Sequence, residues 1–104
     1  MFPFSFMKPG ITYDWATFNL STGQSDYDVK ANQSALFDNV TVARNIIIFF
    51  NKQISIKFNS TLMPAATLPI SRSPFQLPYF FLDVKNIYLT NNSGETVGVE
   101  IWLA

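Results

Sequence analysis

The stretch Arg44 to Phe58, RNIIIFFNKQISIKF, constrains this chain more than any other. Ile46 to Phe50 is an unbroken apolar run, and β-branched and aromatic side chains fit a buried pleated strand. Ile54, Ile56 and Phe58 then alternate with Ser55 and Lys57, the period-2 pattern of a strand wet on one face. Asn51, Lys52 and Gln53 lie between them, so the stretch reads as a β-hairpin.

Composition bounds how such a core can be solvated. The chain has 104 residues, of which 48% are hydrophobic and only 13% charged. Aromatic residues reach 16%, with eleven Phe. So few charges leave apolar surface that a partner chain is expected to cover. Seven basic residues balance seven acidic ones. Lys8, Lys30, Arg44, Lys52, Lys57, Arg72 and Lys85 are scattered singly, so neither nucleic acid nor an anionic membrane is an expected partner. No apolar run reaches the roughly 18 residues of a membrane-spanning helix. Met1 to Gly10 lacks a basic start and carries Pro3 and Pro9, unlike a signal peptide.

In that first segment Phe2, Phe4 and Phe6 alternate, so an extended backbone projects the three rings to one side. Residues 1–10 are read as an extended arm and 11–104 as a single β-sandwich domain. The rings either cover the chain's own core or dock on a neighbouring subunit. Ile11 to Leu20 reads as a strand with Tyr13, Trp15, Thr17 and Asn19 on one face. Asp26 to Ala31 reads as another strand. A short helical turn is expected near Ser34–Phe37, capped by Ser34, with Val40 and Val42 opening a strand. Pro64, Pro69, Pro74 and Pro78 exclude a helix and leave an edge strand over Ala66 to Ile70. Tyr79 to Leu82 is apolar and reads as buried. Val84–Thr90 and Glu95–Leu103 flank Asn91-Asn92-Ser93-Gly94 and read as a second hairpin. Val97, Val99, Ile101 and Leu103 share one face of it; Gly98, Glu100 and Trp102 share the other. Seven to eight short strands without a long helix predict an all-β fold. Its form is an antiparallel β-sandwich of jelly-roll or immunoglobulin-like type.

The chain has neither His nor Cys, which excludes Ser–His–Asp and Cys–His catalysis, His or thiolate metal sites, and disulfides. No cofactor and no enzymatic activity are expected. Asp26 and Asp28 would share a face of a strand, either as a calcium or substrate site or as charges guarding a wet edge. Trp15 and Trp102, with Glu100 beside the latter, could form an aromatic platform for sugar stacking. The competing reading is that Trp102 packs on another layer or on a neighbouring subunit.

Two segments carry a resemblance. DYDVKANQSALFDNVTVARNIIIFFNKQISIKFNS, Asp26 to Ser60, and VKNIYLTNNSGETVGVEIWLA, Val84 to Ala104, resemble small β-rich proteins of tailed-bacteriophage structural gene modules. The shared features are a polar strand, an isoleucine-rich stretch ending IxIKFN and a late turn around N-x-S-G. The resemblance implies a virion protein made in the host cytoplasm, either a capsid decoration (cement) protein or a small tail or fibre protein. It also implies a homo-oligomer, with a trimer among the forms open to it, that contacts other virion proteins such as the major capsid protein. A carbohydrate- or receptor-binding module of a phage tail or fibre is the alternative.

Overall fold

A computed structural model describes residues 10, 12–77 and 83–104. Among them eight strands form: β1 (Asp14–Leu20), β2 (Tyr27–Asp28), β3 (Ile46–Phe50), β4 (Ile54–Phe58), β5 (Ala66–Leu68), β6 (Phe75–Leu77), β7 (Ile87–Asn91) and β8 (Val97–Leu103). Sheet A runs β1-β8-β3-β6 and sheet B runs β2-β7-β4-β5. The first strand thus pairs with the last, the second with the seventh, the third with the sixth and the fourth with the fifth, all antiparallel. Rolling that long ribbon on itself adds the β3–β8 and β4–β7 pairings. This is the jelly-roll order, which separates the fold from the immunoglobulin alternative.

Alternation supplies the core. Ile46, Ile48 and Phe50 of β3 and Val97, Val99, Ile101 and Leu103 of β8 face inward from sheet A and are buried. Ile54 and Ile56 of β4, Leu68 of β5, and Ile87 and Leu89 of β7 meet them from sheet B. Stacked rings close one flank, where Phe18 of β1 lies 5.2 Å from Tyr27 of β2. Phe58 of β4 and Phe75 of β6 approach to 6.2 Å on the other.

Both expected hairpins are corrected. The strands of Arg44–Phe58 form where the sequence places them, but β3 lies in sheet A and β4 in sheet B. The same holds for β7 and β8. Each connection is an arch that carries the chain across the core. A tight hairpin turn needs positive φ at its centre; Asn51, Lys52 and Gln53 supply none. Asn51 is instead tied to the neighbouring strand, its Oδ1 accepting from the Gly98 N–H at 2.9 Å.

Local readings also change. Asp26–Ala31 is a strand only at Tyr27–Asp28, because the Asp28 carboxylate caps a one-turn helix, α1 (Val29–Asn32), accepting from the Ala31 N–H at 3.0 Å. The turn at Ser34–Phe37 forms as a 3₁₀ helix, with Gln33 rather than Ser34 in the capping position. Val40 and Val42 open no strand; only Ala43 makes a bridge, to Val84. β5 is an edge strand among the described residues, as expected, but it ends before Pro69, and Ile70–Arg72 forms a 3₁₀ turn where the prolines were read as excluding a helix. The readings of residues 1–9 and of Tyr79 to Leu82 fall outside the described residues.

Candidate functional site

The two outer faces of the sandwich differ in chemistry, and the difference follows from which residues alternate outward. Sheet B turns out Ser55, Lys57, Thr67, Tyr88 and Thr90. Ser55 and Thr67 hydroxyls lie 3.3 Å apart, and Asn92 donates to Ser55 at 2.8 Å. Lys57 is committed to Asp26 at 3.0 Å and to the Thr61 carbonyl at 3.0 Å. That face is a satisfied polar surface.

Sheet A turns out aromatic and amide groups in rows fixed by strand register. Trp15 of β1 lies opposite Trp102 of β8, and Trp102 opposite Ile47 of β3. The next row is Thr17, Glu100 and Phe49. Beyond it Asn19 lies opposite Gly98, with Asn51 at the end of β3. The indoles of Trp15 and Trp102 stack with centroids 5.4 Å apart and planes 18° from parallel. Trp15 stays 58% exposed, so Trp102 backs one side of the ring and solvent reaches the rest. Trp102 Nε1 donates to Glu100 Oε2 at 2.5 Å, which holds both the half-buried indole and the carboxylate in place.

A shallow cleft of about 360 Å³ runs beside this pair. Thr17, Phe49, Gly98 and Glu100 line it, with Asn51 and Ser73 at its end. Gly98 has no side chain, and a Cβ there would come within 3.5 Å of Asn51 Nδ2 and 3.7 Å of Asn19 Oδ1. The missing side chain is what keeps the floor low between two amides.

No protein-family model, curated protein or solved structure matches this chain. The site is therefore read from its own chemistry.

Of the residues singled out from sequence, Trp15, Trp102 and Glu100 come together as one cluster. Phe2, Phe4 and Phe6 lie outside the described residues. Asp26 and Asp28 do not share a site: Asp26 has φ 48° and pairs with Lys57, while Asp28 caps α1 and accepts from Asn86 Nδ2 at 2.8 Å. Among the described residues no group of three acidic side chains is placed to hold a metal ion. Thr17, Asn19, Asn51 and Gly98 were not anticipated as site residues. Alternation alone puts Gly98 on the face of Glu100 and Trp102, but only the β1–β8 register brings Thr17 and Asn19 beside them.

Proposed function

We propose that this chain is a non-enzymatic structural protein of a bacteriophage particle. It works by covering surface on copies of itself and on other virion proteins such as the major capsid protein. One observation carries the reading: three of the five large exposed apolar side chains among the described residues lie around one sheet edge. Leu62 is 93% exposed, Met63 53% and Ile70 57%. They bracket β5, which among the described residues pairs on one side only, with β4. Apolar side chains beside unpaired backbone donors and acceptors suit addition of another chain. Pro69 removes one donor just past the strand, which limits uncontrolled edge growth.

Further support comes from the low charge content and from the jelly-roll topology, an architecture that recurs in capsid proteins. Topology alone does not assign a function, so the edge patch is where the test belongs. Size-exclusion chromatography with light scattering should show an oligomer of the full chain. Simultaneous Leu62→Ser, Met63→Ser and Ile70→Ser substitutions should give a folded monomer that no longer co-sediments with the particle. A wild-type chain that stays monomeric at high concentration and ignores the particle overturns the proposal.

A further inference from the structure

We infer that the outer face of sheet A binds a neutral pyranose oligosaccharide across Trp15, Glu100 and the cleft over Gly98. This goes beyond the structural role, which rests on a different surface. The aromatic element is a ring offered to solvent on a rigid backing. Trp15 is 58% exposed and stacked on Trp102, which is itself tied to Glu100. An aromatic face carries negative quadrupole charge and attracts the polarised C–H groups on one side of a pyranose. The backing indole means that little freedom is lost when a sugar settles on the ring.

The polar element lies one row away. Glu100 keeps its second carboxylate oxygen, Oε1, without a hydrogen bond to any described residue. Thr17 lies opposite Glu100, and the amides of Asn19 and Asn51 flank Gly98 in the next row. Residues two apart on a strand are separated by about 6.7 Å, and neighbouring strands by about 4.8 Å. From the Trp15 row to the Gly98 row the face therefore spans about 13 Å, room for more than one sugar unit. The cleft of about 360 Å³ lies at the lower end of the roughly 300–1,000 Å³ usual for small-molecule sites.

Charge selects within the class. Glu100 is the one ionisable group among the described residues that line the cleft, and Lys52, next to Asn51 in the chain, is held by Glu95 at 3.3 Å. A sugar acid would meet that carboxylate, whereas a neutral hydroxyl or N-acetyl group can donate to it. Sugars with equatorial substituents, glucose and N-acetylglucosamine in β linkage, present the flat C–H face that a tryptophan ring needs.

The test uses the full chain with cellotetraose, chitotetraose and, as the acidic counterpart of the same β-1,4 geometry, tetraglucuronate, followed by tryptophan fluorescence and saturation-transfer NMR. At least one neutral tetrasaccharide should bind with a dissociation constant of about 1 mM or tighter, and tetraglucuronate should bind more weakly. Trp15→Ala should weaken binding about tenfold or more. Gly98→Ala should also weaken binding by raising the cleft floor, while leaving the strand intact, because the added Cβ meets only ordinary contact distances. Leu62→Ser, on the assembly edge, should bind as the wild type does. Binding of neither neutral sugar, preference for the acidic one, or a folded Trp15→Ala chain with undiminished affinity would each overturn the inference. So would a Trp15→Ala chain that changes oligomeric state while binding sugar unchanged, since the face would then be a subunit contact.

Discussion

The Asn91 side-chain amide donates to the Leu20 carbonyl at 3.2 Å, joining residues 71 apart in sequence and one in each sheet. The same Nδ2 reaches the carbonyls of Ser21 at 2.9 Å and Glu95 at 2.5 Å, while Oδ1 accepts from the Ser93 N–H and hydroxyl. Asn91 is 3% exposed, so these groups have little access to water. Asn91→Ala removes these hydrogen bonds from a nearly buried junction, although the Ser21 and Glu95 carbonyls keep the Gln24 N–H and the Ser93 hydroxyl, and should cost about 2–3 kcal/mol. For a domain of this size that is a fall in Tm of about 10–20 °C, measurable by circular dichroism. Asn91→Asp should be worse near neutral pH, because a carboxylate then faces carbonyl oxygens. Its folded state favours the protonated acid and raises that pKa, so the deficit should shrink as pH falls from neutral towards the ordinary carboxylate range and level off below it. A loss under about 0.5 kcal/mol for Asn91→Ala would show the contacts to be dispensable.

Asn59 holds a second long-range junction by two separable means. Its φ is 67°, and its side chain accepts from the Lys85 N–H at 2.6 Å and donates to the Asp83 carbonyl at 3.0 Å. Asn59→Gly loses the hydrogen bonds but tolerates the backbone; Asn59→Ala loses both. Urea unfolding should find both variants destabilised, with alanine lower than glycine by about 1 kcal/mol. Equal stabilities would mean that the left-handed conformation carries no cost here.

How much of this was legible beforehand depends on what period 2 reports. It tells which side chains face inward, and Val97 to Leu103 lines the core as alternation requires. It does not tell which strand is the hydrogen-bonded partner. Ile54 and Ile56 would alternate identically beside Ile46 and Ile48 in a hairpin or across from them in an arch. The turn at Ser34–Phe37 was expected from Ser34 as a cap and forms without that cap, whereas α1 was not legible, because it depends on the Asp28 carboxylate turning back on its own chain. β6 was hidden between Pro74 and Pro78; three residues between prolines carry too little pattern to name a strand. At the site, Trp102 and Glu100 follow from alternation within one strand, whereas Trp15 joins them only through the register of two strands distant in sequence.

The core itself makes a plain prediction. Ile101 is fully buried, lies opposite Ala16 and Ile48, and faces sheet B. Ile101→Ala should cost about 2–5 kcal/mol, the lost burial plus the cavity left behind. Chemical denaturation should show a lower midpoint with little change in slope. A cost below about 1 kcal/mol would indicate that the two sheets collapse onto the vacancy.

Phe2, Phe4 and Phe6 lie outside the described residues, so their prediction rests on sequence alone. Deleting Met1 to Met7 should leave a cooperatively unfolding domain but a weaker oligomer by light scattering. Each ring withdrawn from an interface forfeits about 1.5–3 kcal/mol of burial. An oligomer indifferent to the deletion would remove the arm from the assembly surface and leave the β5 edge to act alone.

Trp15 and Trp102 should prove unequal in stability and coupled to each other. Trp102 is half-buried and bonded to Glu100, whereas Trp15 is mostly in water. Trp102→Ala should therefore cost more than Trp15→Ala, by about 1 kcal/mol or more, since it also frees a carboxylate held on the sheet. A double-mutant cycle should return a coupling of about 0.5–1.5 kcal/mol, the range for stacked aromatic pairs. The far-ultraviolet circular dichroism should carry an exciton couplet from two indoles 5.4 Å apart, abolished by either single substitution. A couplet that survives one substitution cannot come from this pair. Additive losses would mean that the indoles are neighbours without mutual support, and the rigid backing invoked for sugar binding would go with them.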